Sequence, residues 1–178
     1  MIRAAALVAA LALLLVACND GEGGGELRIG GSGKLNEGVA LTFTVPAHNT
    51  FVVGSMPVCP DGGPVTVTGV STYGGDDIEV TGYALRRNPF LTQENMIGEA
   101  HGTLEDNGLE RAEDLVLDDE CGKTGTGDIY ELLVELKAAD TDQAAEGYVV
   151  AWGEDRDLEV PYGLTVCVDH TLEGCNRD

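Results

Sequence analysis

Val39-Ala40-Leu41-Thr42-Phe43-Thr44-Val45 places Val39, Leu41, Phe43 and Val45 on one side of an extended chain, with Thr42 and Thr44 on the other. A period of two marks a strand with one face in a core and the other in water. Pro46 ends the run. Downstream, Thr50–Val53 and Met56–Cys59 read as short strands, and Pro60-Asp61-Gly62-Gly63-Pro64 is a turn by composition. Val65–Val70 alternates again until Gly69 shifts the pattern, as a bulge does. A Gly/Asp turn over residues 71–77 leads into Ile78–Leu85, which carries Gly82 inside it.

Residues 86–115 are the least regular part, with Pro89, Gly98, Gly102 and Gly108 along them. There, only Leu109–Leu115 suggests a short helical turn. Ile129–Ala138 is a clear strand that puts Tyr130, Leu132, Val134 and Leu136 on one face. Gly147–Trp152 and Pro161–Val168 complete the set. Short alternating strands separated by Gly/Asp turns, with little helix, predict an all-β fold: a single antiparallel β-sandwich. An immunoglobulin-like Greek key is the first expectation and a small β-barrel the second. No internal repeat is present.

The segment before the strands has a different character. Met1-Ile2-Arg3 is followed by an apolar run from Ala4 to Val16 and then by Leu15-Val16-Ala17-Cys18. The run is too short to span a bilayer, which takes about 20 apolar residues. A basic start, a short apolar core and small residues before a cysteine resemble a bacterial lipoprotein signal peptide with its lipobox. The resemblance implies that residues 1–17 are removed and that Cys18 becomes a diacylated N-terminus. Two acyl chains give stable attachment where one gives only marginal binding. The implied place is a membrane surface, on the extracytoplasmic face, held through diacylglycerol on Cys18. Residues 18–34, rich in Gly and acid, then form a tether with a reach of about 20 Å. Glu26–Ile29 reads alternatively as a short first strand. Residues 35–178 are the β-sandwich domain, large enough for one real core.

Cysteine arithmetic fits the lipid. Of five cysteines, Cys18 takes the acyl group, which leaves Cys59, Cys121, Cys167 and Cys175 as an even set. In an oxidising compartment they are expected to form two disulfides. Sequence permits three connectivities. Cys167 with Cys175, and Cys59 with Cys121, is the preferred one.

Formal net charge is −21, from 10 Lys and Arg against 31 Asp and Glu. Losing residues 1–17 removes Arg3 and no acid, which leaves −22. Nucleic acid is excluded as a partner, because phosphate binding is driven by clustered Lys and Arg. Such charge also disfavours self-association, so a monomer is expected.

Three constellations are candidate sites. His48, Met56, Met96 and His101 supply two imidazoles and two thioethers, a donor set suited to Cu(I). Acidic loops, above all Asp118-Asp119-Glu120 and also Asp76-Asp77 and Asp140 with Asp142, supply the oxygens Ca²⁺ wants, without EF-hand spacing. Tyr148 and Trp152 share one face of a strand, where they form a ligand platform if exposed and core if buried. No Gly-x-Ser-x-Gly, His-Glu-x-x-His or phosphate loop occurs, and Ser32, Ser55 and Ser71 are the only serines. The expectation is a lipid-anchored, non-enzymatic binding module that meets an envelope protein or polymer and needs no cofactor. Metal handling is the alternative, and a small extracytoplasmic hydrolase the weaker one.

Overall fold

The computed structural model describes residues 25–30, 39–87, 98–113, 115–118, 130–171 and 175. Twelve strands run through them. β1 (Glu26–Ile29), β2 (Val39–Val45), β3 (Thr50–Asp61), β4 (Val65–Tyr73) and β5 (Glu79–Arg87) come first. β6 (Glu99–His101), β7 (Leu115–Leu117), β8 (Tyr130–Lys137), β9 (Gln143–Ala145), β10 (Gly147–Trp152), β11 (Arg156–Val160) and β12 (Tyr162–Val168) follow. The protein is all-β with antiparallel sheets that curl into a half-barrel, in keeping with a sandwich or barrel.

One sheet has the order β1-β3-β8-β5, with β6 also on β3; a second runs β11-β10-β4-β7; a third runs β2-β12-β9. The one departure from antiparallel pairing is β12 with β2, parallel from Tyr162 opposite Val39 to Val168 opposite Val45. Alternation specifies which side of β2 is buried but is silent about the direction of its neighbour.

Several expected strands take a different form. Thr50–Val53 and Met56–Cys59 are one twelve-residue strand, interrupted by a register shift between Val53 and Met56. That shift keeps Phe51, Val53, Met56 and Val58 all in the main core. The bulge expected at Gly69 is present: Ala151 pairs with Gly69 and Trp152 with Val67, so Thr68 is skipped. Of the two readings of residues 26–29, the strand is adopted, and β1 pairs with the far end of β3. The helical turn is a single 3-10 turn at Glu105–Asn107 rather than in 109–115, closed by Gly108 at φ 72°.

Only Glu146 separates β9 from β10, and only Pro161 separates β11 from β12. This hairpin therefore passes from one sheet into the next at a corner. Pro161 brings no N–H to the ladder there. At Gly147 a Cβ would collide with the Val160 carbonyl.

The main core gathers the inward faces of the sheets: Phe43, Phe51, Met56, Leu132, Val134, Leu136, Tyr148, Val150 and Val166 among others. A second, smaller core lies on the outer face of the β3-β8-β5 sheet. Residues 98–113 cross that face like a strap. They start as β6 on β3 and finish with the Ala112 N–H on the Tyr83 carbonyl of β5 at 2.8 Å. Leu104 is buried beneath the strap with Val52, Ala84 and Leu133.

Candidate functional site

The chain enters the domain at one end of the sandwich, and its longest-range loop contacts lie at the other. Gly25 N–H donates to the Pro64 carbonyl, Glu26 pairs with Asp61, and Arg28 makes a 2.8 Å ion pair with Asp61. β3 runs from Thr50 to Asp61, so the opposite end stands about 40 Å away at the usual rise per residue. At that far end the turn after β2, the turn after β4, the loop after β8 and the tail of β12 converge.

Each of these segments is held by its neighbours. Pro46 stops β2, and the Asn49 N–H closes a turn onto the Pro46 carbonyl at 3.2 Å. His48 N–H donates to the Ala138 carbonyl, and Ala138 N–H donates to that of Asn49. Asp169 accepts from Ala47 N–H at 3.3 Å and donates its own N–H to the Val45 carbonyl. Asp142 Oδ1 accepts from Val168 N–H at 2.8 Å. Asp76 and Ala144 exchange two bonds, at 2.7 and 2.8 Å. Among the described residues, the only non-glycines with positive φ, His48 at 61° and Asp169 at 58°, both sit here. Left-handed backbone at a non-glycine costs of order 1 kcal/mol and persists where the surroundings impose it.

Asp76, Asp140, Thr141, Asp142, Val168 and His170 line a shallow cavity among these loops. His48 Nε2 stands 2.9 Å from Asp140 Oδ1, and His170 Nε2 stands 3.8 Å from Asp142 Oδ1. His101, opposite Phe51 at the start of β3, belongs to the same end. All three histidines therefore collect near one acidic rim, which spacing alone does not show. Exposed pairs of this kind add little stability. Their effect is a negative surface with imidazoles set in it, suited to a partner rich in donors or positive charge.

The other expected site residues are dispersed. Met56 is fully buried in the main core, away from the exposed His48 and His101. Met96, Asp119 and Glu120 lie outside the described residues, as do Cys18 and Cys121. Asp118 accepts from the Tyr130 hydroxyl at 3.3 Å. Among the described residues no group of three or more His, Cys, Asp or Glu could hold a metal ion. Tyr148 and Trp152 do share a face, but it is the core face, with exposures of 0% and 7%. They offer no exposed platform because β10 turns them inward while Val149 and Ala151 face outward. Cys167 and Cys175 are bonded, with Cα atoms 5.6 Å apart, and Cys59 is also disulfide-bonded.

Two buried carboxylates escaped the sequence reading. Glu131 and Glu135 lie on the outer face of β8, at 0% and 2% exposure, on either side of Leu133. Arg86 holds Glu131, with Nε 2.8 Å from Oε2 and Nη2 on the same oxygen. Glu135 Oε1 accepts from the Thr81 hydroxyl and Arg111 Nη2, both at 2.6 Å, while Oε2 accepts from Leu104 N–H at 2.7 Å. Arg111 also reaches the Thr81 carbonyl and Glu105. Four positions along a strand place the two Cα atoms about 13 Å apart. Paired catalytic carboxylates stand about 5–9.5 Å apart, and both Glu135 oxygens are committed to donors. The arrangement is a clasp for the strap. The signal in the sequence was Leu133, an apolar residue in the middle of the supposedly wet face.

Nearby titrations follow the same contacts. Glu105 is held below the usual carboxylate range by its backbone hydrogen bond and then by Arg111. Asp106 is lowered by the Thr103 N–H and hydroxyl. Burial raises Tyr162, with Glu131 adding to the shift.

No protein-family model, no curated protein and no solved structure matches this chain.

Proposed function

We propose that this protein is a non-enzymatic binding module of the cell envelope, anchored through diacylglycerol on Cys18 and displayed on the extracytoplasmic face. Its rim of loops, 46–49, 74–78, 138–142 and 169–170, meets an envelope protein. The observation that carries this reading is the opposition of the two ends. Gly25 enters beside Pro64, whereas the acidic and histidine-bearing loops lie about 40 Å away along β3. A tether starting at a lipid would leave that rim facing outward. The disulfides support the compartment, since such bonds persist where the surroundings are oxidising.

Radiolabelled palmitate fed to cells tests the anchor. Label on the wild type and none on Cys18→Ala is the expected result, and equal label on both removes the proposal. Crosslinking from the anchored protein in its own membranes tests the rim. A partner captured through residue 77 or 141, and lost when Asp140 and Asp142 are changed to Asn, is expected.

A further inference from the structure

The end of the sandwich opposite the acidic rim carries a site of its own. Gly153, Glu154 and Asp155 turn β10 into β11, which sets Trp152 and Arg156 opposite each other as the last and first residues of the two strands. A cleft opens on either side of this pair, of about 360 Å³ and 440 Å³. Trp152, Asp155 and Arg156 line both. Thr66 and Glu154 add polar groups to the first, Glu26 and Asp157 to the second. Trp152 is 7% exposed, and its indole Nε1 is a buried donor with no hydrogen-bond partner among the described residues. Indole nitrogen can only donate, and an unmatched buried donor is rare enough in folded proteins to call for an explanation.

We propose that the two clefts form one groove that binds a neutral oligosaccharide, with a sugar oxygen as the acceptor for Trp152 Nε1. The donor and acceptor inventory selects this class. Carboxylates accept, while the indole and the guanidinium donate, so the ligand must do both several times over. Vicinal hydroxyls do that. An anion would face four carboxylates against one guanidinium. A simple cation would satisfy the acids but place its charge beside Arg156 and leave the indole N–H unmatched. An apolar ligand would strand every one of these groups. Two clefts sharing one wall suit a chain of sugar rings rather than a single ring.

Trp152 is the only tryptophan in the chain, so its emission reports on the groove directly. The full chain in detergent would be titrated with maltoheptaose, chitohexaose and a mannan oligosaccharide, with CaCl₂ and inorganic phosphate as separate arms. A saturable emission change with at least one oligosaccharide is expected. It should weaken about tenfold in Arg156→Ala and in Asp155→Ala, the loss of one or two charge-assisted hydrogen bonds. Calorimetry on Trp152→Phe, which keeps an aromatic ring but removes the N–H, should show a similar loss. His170→Ala, at the other end, should bind as wild type does. Asp155 lies in an exposed turn, so its variant keeps the test open if Arg156→Ala fails to fold. No saturable change with any of the three sugars overturns the proposal. So does a response that survives both Asp155→Ala and Arg156→Ala, or one given by Ca²⁺ or phosphate alone. None of these outcomes depends on the lipid at Cys18.

Discussion

Leu104 donates its backbone N–H to Oε2 of Glu135 at 2.7 Å, so a carboxylate on the middle strand of a sheet fastens the loop that crosses over it. Arg111 and the Thr81 hydroxyl take the other oxygen. Removing a buried partner costs more than the bond itself, because the groups left behind lose their counterpart. Glu135→Ala is expected to destabilise the domain by about 2–3 kcal/mol, less than a fully enclosed ion pair because Arg111 reaches water. Urea denaturation checks it, and Arg28→Ala, which breaks only an exposed pair, should change little.

Acid should loosen the strap before it unfolds the domain. Glu105 and Asp106 have carboxyls lowered from ordinary values of 4.5 and 3.8 by hydrogen bonds made within the strap. Groups with depressed folded values contribute stability that is present above the unfolded value and lost as pH falls through the folded one. Hydrogen exchange over residues 103–112, corrected for intrinsic rate, should therefore quicken below about pH 4.5. Protection of β8 should hold through the same range.

Tyr148 carries a hydroxyl that is buried and has no hydrogen-bond partner. Burial raises its pKa, first by desolvation and then through Tyr162, so it stays neutral and silent at any ordinary pH. Deleting an unsatisfied polar atom while keeping the ring removes a penalty rather than a contact. Tyr148→Phe is expected to leave the melting temperature unchanged or raise it, by up to about 1 kcal/mol of stability. A fall of more than that amount would mean the hydroxyl has an acceptor after all.

The bond from Cys167 to Cys175 spans a separation of 8 in sequence. Closing so short a loop is worth about 2.5 kcal/mol in the chain-entropy account. Cys175→Ser paired with Cys167→Ser should lower stability by that order, and reductant should then have a smaller effect than on wild type. Thermal melts with and without reductant measure both.

Much of the strand pattern was readable because a single face of each strand is apolar. β2 has Phe43 and Val45 buried with Thr42 exposed, and β8 sends Tyr130, Leu132, Val134 and Leu136 into the core, as the alternation demands. Gly69 marked its bulge correctly. The single strand across residues 50–61 was harder, since Gly54, Pro57 and Pro60 punctuate it and the register shift resets its parity. The three residues of β9 are too few to show a period. Burial of Glu131 and Glu135 depends on Arg86, Arg111 and a crossing loop, which are contacts between distant segments with no local trace. Convergence of His48, His101 and His170 on one rim is likewise a product of topology.

Val45 lies beside Val168, 123 positions later, in the parallel pairing of β2 with β12. A chain that leaves the cell amino end first must deliver β2 long before its neighbour arrives. Contacts between such remote segments are entropically slow to close. Until translocation finishes, Phe43 and its companions have no strand to rest against, and the half-made molecule exposes an adhesive ribbon in a crowded space. A holdase that guards that ribbon, or fast secretion of the carboxyl end, would set how much protein reaches its mature form.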